Sequence, residues 1–117
     1  MIKRGLRAVF QRVEAAFEGA FGPRLNPITQ LGTLGWYLFW IVTASGIYVY
    51  LFFDTGVTQA WESLERISRD QWWLGGIMRS LHRYASDAMV VVVLLHAMRE
   101  FAMDRMRGNR WLPWVTG

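Results

Sequence analysis

The chain has 117 residues, 53% of them hydrophobic, with 7 Trp, 6 Met and no Cys. The missing cysteine excludes disulfides, thiolate-held iron–sulfur clusters and any group attached covalently through a C-x-x-C-H sequence. The formal net charge is +4, but the charges flank apolar stretches instead of interleaving with aromatics on one surface. That pattern fits membrane lipid as the partner and no nucleic acid.

At the N-terminus, Ile2, Leu6, Val9, Phe10, Val13, Phe17 and Phe21 recur in steps of three and four, one face of a helix over residues 2–21. Lys3, Arg4, Arg7, Arg12, Glu14 and Glu18 occupy the other faces. Residues 1–24 therefore read as an amphipathic helix lying along a membrane interface. The alternative is a soluble helix packed on a partner. No apolar core follows the early basic residues, which argues against a cleaved signal peptide. Gly22-Pro23 ends this helix and Asn26-Pro27 marks a second turn.

Leu31 to Phe53 carries no charge and is long enough to cross a hydrocarbon core of about 30 Å as a helix. Its small residues, Gly32, Gly35, Ala44, Ser45 and Gly46, permit close approach of another helix or of a flat cofactor. Ordinary helix packing explains the glycines equally well. Residues 54–76 are polar and turn-rich, ending in Gly75-Gly76, with a short surface helix predicted over Ala60 to Ser68. Trp61, Trp72 and Trp73 fit an aromatic belt.

A second span is predicted at about residues 77–103. Its centre, Ala88 to Leu95, is apolar, but Arg79, His82, Arg83, Asp87 and Arg99 interrupt its flanks. Arg83 and Asp87, four apart, are placed to pair on a face away from the histidines. Asp104 to Gly117 reads as a basic, Trp-containing loop. Basic residues dominate the N-terminal stretch and the segment after His96, whereas acids dominate the loop 54–76. The positive-inside rule then places both termini in the cytoplasm.

His82 and His96 are fourteen residues apart. On a helix that is almost four turns, so both imidazoles leave nearly the same face, about 21 Å apart along the axis. Arg79 and Arg99 each lie three residues outward of a histidine. Ionisable groups in a bilayer are costly, and two stacked haems, one towards each surface, would account for them. The arginines then stand on the side where anionic propionates would emerge. One shared zinc ion is disfavoured because the two histidines are too far apart. A proton relay through His82, Asp87 and His96 would need water or further residues. Histidines that merely hydrogen-bond between helices remain open.

Several segments in order carry a family resemblance: Gly32 and Gly46 with Ser45 in the first span, Ala60-Trp61-x-Ser63-Leu64-x-x-Ile67 in the loop, Gly76-Ile77-Met78-Arg79-Ser80-Leu81-His82 at the entry to the second span, and Leu95-His96-x-x-Arg99 with Trp114-Val115-Thr116-Gly117 at its exit. From about residue 25 onward the chain resembles the N-terminal part of cytochrome b, the quinol-oxidising membrane subunit of bc-type and b/f-type complexes. The resemblance implies an all-α membrane protein in which the N-terminal interfacial helix read above precedes a two-span hairpin over 25–117 that forms half of a four-helix bundle. It implies two haems b, with His82 and His96 as axial ligands and Arg79 and Arg99 facing propionates. Gly32, Gly46 and Gly35 would clear space for the rings. Val42 stands where the family usually has glutamine, Ala85 where glycine is common, and Asp87 is unusual; these departures bear on fine packing and not on the ligands.

The resemblance covers half of the expected bundle. The expectation is an electron-transfer subunit of a quinol- or quinone-linked oxidoreductase in an energy-transducing membrane. A partner chain would supply the third and fourth helices with the opposing ligands, the reading favoured by the position of Gly117 just before a third helix. A symmetric homodimer, a haem-free relic fragment and a haem-free anchor or assembly subunit are the alternatives.

Overall fold

A computed structural model describes residues 1–116, and every regular element among them is helical. In chain order these are α1 (Ile2–Phe21), α2 (Leu31–Phe52), α3 (Ala60–Asp70), α4 (Leu74–Ala102) and α5 (Trp111–Thr116), with a 3-10 turn at Gly108–Arg110 before α5. The described residues form two compact units, one comprising Met1–Gly35 with Val91–Gly117 and the other Trp36–Val90.

In the first unit, α1 ends at Gly22, whose φ of 77° lies in the left-handed region open to glycine and whose N–H caps the Glu18 carbonyl. The turn that follows is organised by Asn26, only 1% exposed. Its Nδ2 donates to the Glu14 carbonyl at 2.9 Å, and its Oδ1 accepts the Ile28 N–H at 3.0 Å. Both amide ends are thus satisfied, as burial requires. Most apolar residues of α1, including Ile2, Val9, Phe17 and Phe21, are exposed, and Phe10 is buried. The segment after α4 departs from the expected loop. A left-handed turn at Asp104 and a second at Gly108 lead into α5, so the tail folds back into helix up to Thr116; Gly117, the last residue of the expected exit motif, lies outside the described residues. Phe101 tilts against Trp114 at 6.3 Å between ring centroids.

In the second unit, α3 begins close to its predicted start and runs two residues beyond the predicted end. Asp54 shapes the approach: its Oδ1 accepts the Gly56 N–H, and its own N–H donates to the buried Ser63 hydroxyl. Helix α4 starts at Leu74, so Gly75 and Gly76 are helical and not part of a turn. The reason lies at Gly75, where a Cβ would fall 2.5 Å from the Ile67 carbonyl oxygen. Glycine is required by the approach of α3 and not by backbone conformation. Trp61, Trp72 and Trp73 are exposed.

Helix α2 is the one helix among the described residues that is long and apolar enough to cross a membrane. Helix α4 has the length, about 43 Å for its 29 residues, but Arg79, Arg83, Asp87 and Arg99 keep it from meeting the same standard. The less exposed positions of α2 include Leu31, Gly35, Leu38, Val42, Ser45 and Val49; those of α4 include Gly75, Met78, His82, Ala85, Met89, Val92, His96 and Arg99. Both runs alternate steps of four and three, the signature of a helix–helix seam.

Candidate functional site

Each histidine lies on this seam, one in each unit, and each rests on a glycine of α2. In the second unit the His82 ring lies across Gly46, where a Cβ would stand 3.0 Å from Cε1 and 3.3 Å from Nδ1. A methyl that close to an sp² ring forces one of the two to move. The Nδ1 atom is 3.1 Å from the Val42 carbonyl oxygen and 3.3 Å from Ser45 Oγ. Ser45 is 1% exposed, and its hydroxyl donates to the Ile41 carbonyl at 2.6 Å, leaving its lone pairs to face the ring. Both α2 partners present acceptors, so Nδ1 carries the proton and Nε2 keeps its lone pair. That is the tautomer an imidazole needs to ligate through Nε2. Ser86 donates to the His82 carbonyl, and Ala85, the departure from glycine, is buried.

Arg79, one turn before His82, is exposed and donates from Nη1 to Ser68 Oγ at 3.0 Å. It borders a cavity of about 160 Å³ lined also by Trp61, Leu64, Glu65 and Ser68. A guanidinium has five N–H donors, so this one bond leaves it able to bind an anion. Arg83 and Asp87 are exposed, and no ion pair joins them among the described residues. The expected intrahelical pair is absent: both side chains lie off the α2 seam, and a spacing of four permits a pair without requiring it.

In the first unit the His96 ring lies over Gly32, where a Cβ would stand 3.2 Å from Cε1 and 3.5 Å from Nε2. Gly35 is different. A Cβ there would make ordinary contact with Val92 at 3.7 Å, so it serves helix packing. Arg99 is only 6% exposed, and its Nε donates to Glu14 Oε1 at 2.6 Å. Its Nη1 is 3.4 Å from Glu100. Sequence reasoning assigns Glu14 to a solvated face of α1 and misses this pair, because no spacing rule links residues 85 positions apart. It also leaves open whether a serine or a carbonyl holds His82; the structure brings both to Nδ1.

The sequence profile described as Cytochrome b/b6/petB matches residues 18–117. The chain belongs to the cytochrome b family. Over 95 residues it is 32% identical to cytochrome b6 of Prochlorococcus marinus (strain AS9601) and to cytochrome b6 of Porphyra purpurea, covering 81% of this chain and 43% and 44% of those relatives. Cytochrome b6 of Synechococcus sp. (strain CC9605) is 30% identical over the same length. The chain thus spans less than half the length of these cytochrome b relatives. No solved structure matches it significantly. The family match extends from the last turn of α1 through both glycine–histidine contacts.

Proposed function

We propose that this chain is a membrane electron-transfer subunit that binds two haems b within a quinol- or quinone-linked oxidoreductase, with His82 and His96 each giving one axial ligand. The observation that carries the reading is the cradle at His82. Gly46 lets the ring lie against α2, and the Val42 carbonyl takes the Nδ1 proton, leaving Nε2 for a metal. The residues present fit the group: Gly32 plays the same part under His96, and Arg79 and Arg99 supply cations one turn outward for propionates. Arg99 retains unused donors beside those given to Glu14 and Glu100. When bound between two imidazoles, haem b supplies a one-electron carrier that is closed to oxygen.

The chain's own work is to orient the imidazoles, fix the His82 tautomer and offer cations to anionic groups. The opposing ligands come from helices outside these residues. The domain reading has α1 (1–24) at the interface, with its exposed apolar residues in lipid, and residues 25–117 as a hairpin with spans about 31–53 and 77–103 in an energy-transducing membrane, both termini cytoplasmic. A helix as charged as α4 is stable there when its exposed face, with Arg79, Arg83 and Asp87, is covered by partner helices. The likeness to cytochrome b6 supports a place for it in a multi-subunit complex.

The test is a reduced-minus-oxidised spectrum of the native assembly with haem quantitation, repeated for His82→Ala and His96→Ala. Two haems b per chain, with one lost in each variant, is the expected result. Two per pair of chains would favour a symmetric homodimer. An intact assembly with no haem would overturn the reading in favour of a haem-free anchor.

A further inference from the structure

We infer that Glu14 is a positioning residue for the His96 site: it holds the Arg99 guanidinium and offsets its charge one turn from the imidazole, and so sets how readily a haem held by His96 is reduced. The inference rests on the haem-binding reading above.

The Arg99 side chain is 8% exposed and that of Glu14 18%, with Nε and Oε1 at 2.6 Å. A guanidinium so far from water needs a counter-charge, and removing one partner leaves the other stranded. Glu100 is the weaker counter-charge, at 3.4 Å and shared with Arg105 at 3.3 Å. Glu14 is held where it is needed. Its carbonyl accepts from the buried Asn26 amide, whose own oxygen is tied to Ile28. Lys3 ties the start of α1 to Asp104 at 3.2 Å and lies over the Phe101 ring. The carboxylate is therefore fixed at both ends of its helix and not free to leave Arg99.

The sign of the effect follows from charge. An oxidised haem carries one more positive charge than a reduced one, so a nearby carboxylate favours the oxidised form and an uncompensated guanidinium the reduced form. Buried charges are poorly screened by salt. Neutralising Glu14 while keeping Arg99 therefore raises the midpoint potential.

The experiment is a potentiometric titration of the intact, haem-loaded assembly carrying Glu14→Gln, followed optically. The component that disappears in His96→Ala is expected to move to higher potential, and the component that disappears in His82→Ala to stay in place. Lys3→Met loosens the other tie of α1 without touching Arg99, and both components should then stay where they are. Unmoved potentials in Glu14→Gln, or an equal shift from Lys3→Met, overturn the inference. If Glu14→Gln does not assemble, Glu14→Asp keeps the charge but withdraws it from Arg99. A smaller rise in the same component supports the inference, and no change overturns it. A parent assembly without haem overturns the haem reading itself, whereas a haem-loaded parent indifferent to Glu14 overturns only this inference.

Discussion

The imidazole of His82 packs against Gly46, with 3.0 Å between its Cε1 and the place a Cβ would occupy. The contact joins two helices through the one atom that glycine lacks. An added methyl must shift the ring by a few tenths of an ångström and so disturb the Nδ1 contact with Val42 that orients it.

Gly46→Ala is therefore expected to cost about 1–3 kcal/mol in packing and to deplete the haem component assigned to His82. Gly35→Ala, whose methyl would meet Val92 at 3.7 Å, should assemble with both components present. Haem quantitation on the two variants side by side checks the contrast. Equal haem loss in both would mean that the ring contact is not what matters at Gly46.

The adjacent pair Gly75 and Gly76 gives a second contrast. A Cβ at Gly75 would fall 2.5 Å from the Ile67 carbonyl and 2.8 Å from its Cγ2, whereas nothing lies within 4 Å at Gly76. Backbone cannot yield as a side-chain tip can, so Gly75→Ala should destabilise by at least about 1–3 kcal/mol. In a half-buried helical position with open space for a methyl, Gly76→Ala should be neutral or stabilise by about 0.5–1 kcal/mol. Thermal unfolding in detergent, read at matched protein concentration, separates them.

Asp104 combines a left-handed backbone, φ 60°, with ion pairs to Lys3 and Arg107. The hydrogen bond from Lys3, helped by the charges of Arg107 and Lys3, holds its carboxyl below the usual value of 3.8. A depressed pKa contributes stability that is fully present above 3.8 and is lost as pH falls through the lower folded value. Asp104→Asn, which tolerates the same backbone, should remove that acid dependence, lying slightly below the parent near neutrality and meeting it once pH falls below the folded value. Thermal scans at falling pH check it, and high salt should shrink the difference, because the pair is exposed.

Much of this was legible because helical period is a local property. The seam that carries His82 and His96 is written in alternating steps of four and three, and α2 and α3 begin where charge and turn residues say they should. What escaped depends on distant chain. Gly75-Gly76 has the composition of a turn, yet both are helical, and Gly75 is glycine because Ile67 occupies the place of its Cβ. Arg83 and Asp87 have the spacing of an ion pair, yet both stand exposed off the α2 seam and do not pair. Arg99 finds its counter-charge in α1, where Glu14 looks like one more surface acid. The Val42 carbonyl that holds His82 has no signature at all, since every residue has one. In the tail, charge and tryptophan suggested a loop where Asp104 and Gly108 turn the chain into α5.

The placement of both histidines on one seam of α4 implies a rule about length rather than chemistry. Side chains between them can be exchanged for other helix formers far more freely than residues can be added or removed. A single insertion turns everything beyond it by about 100°, carrying His96 off the stripe and away from Gly32. An insertion of seven would bring it back to the same face, but about 10 Å further on, past the glycine meant to receive it.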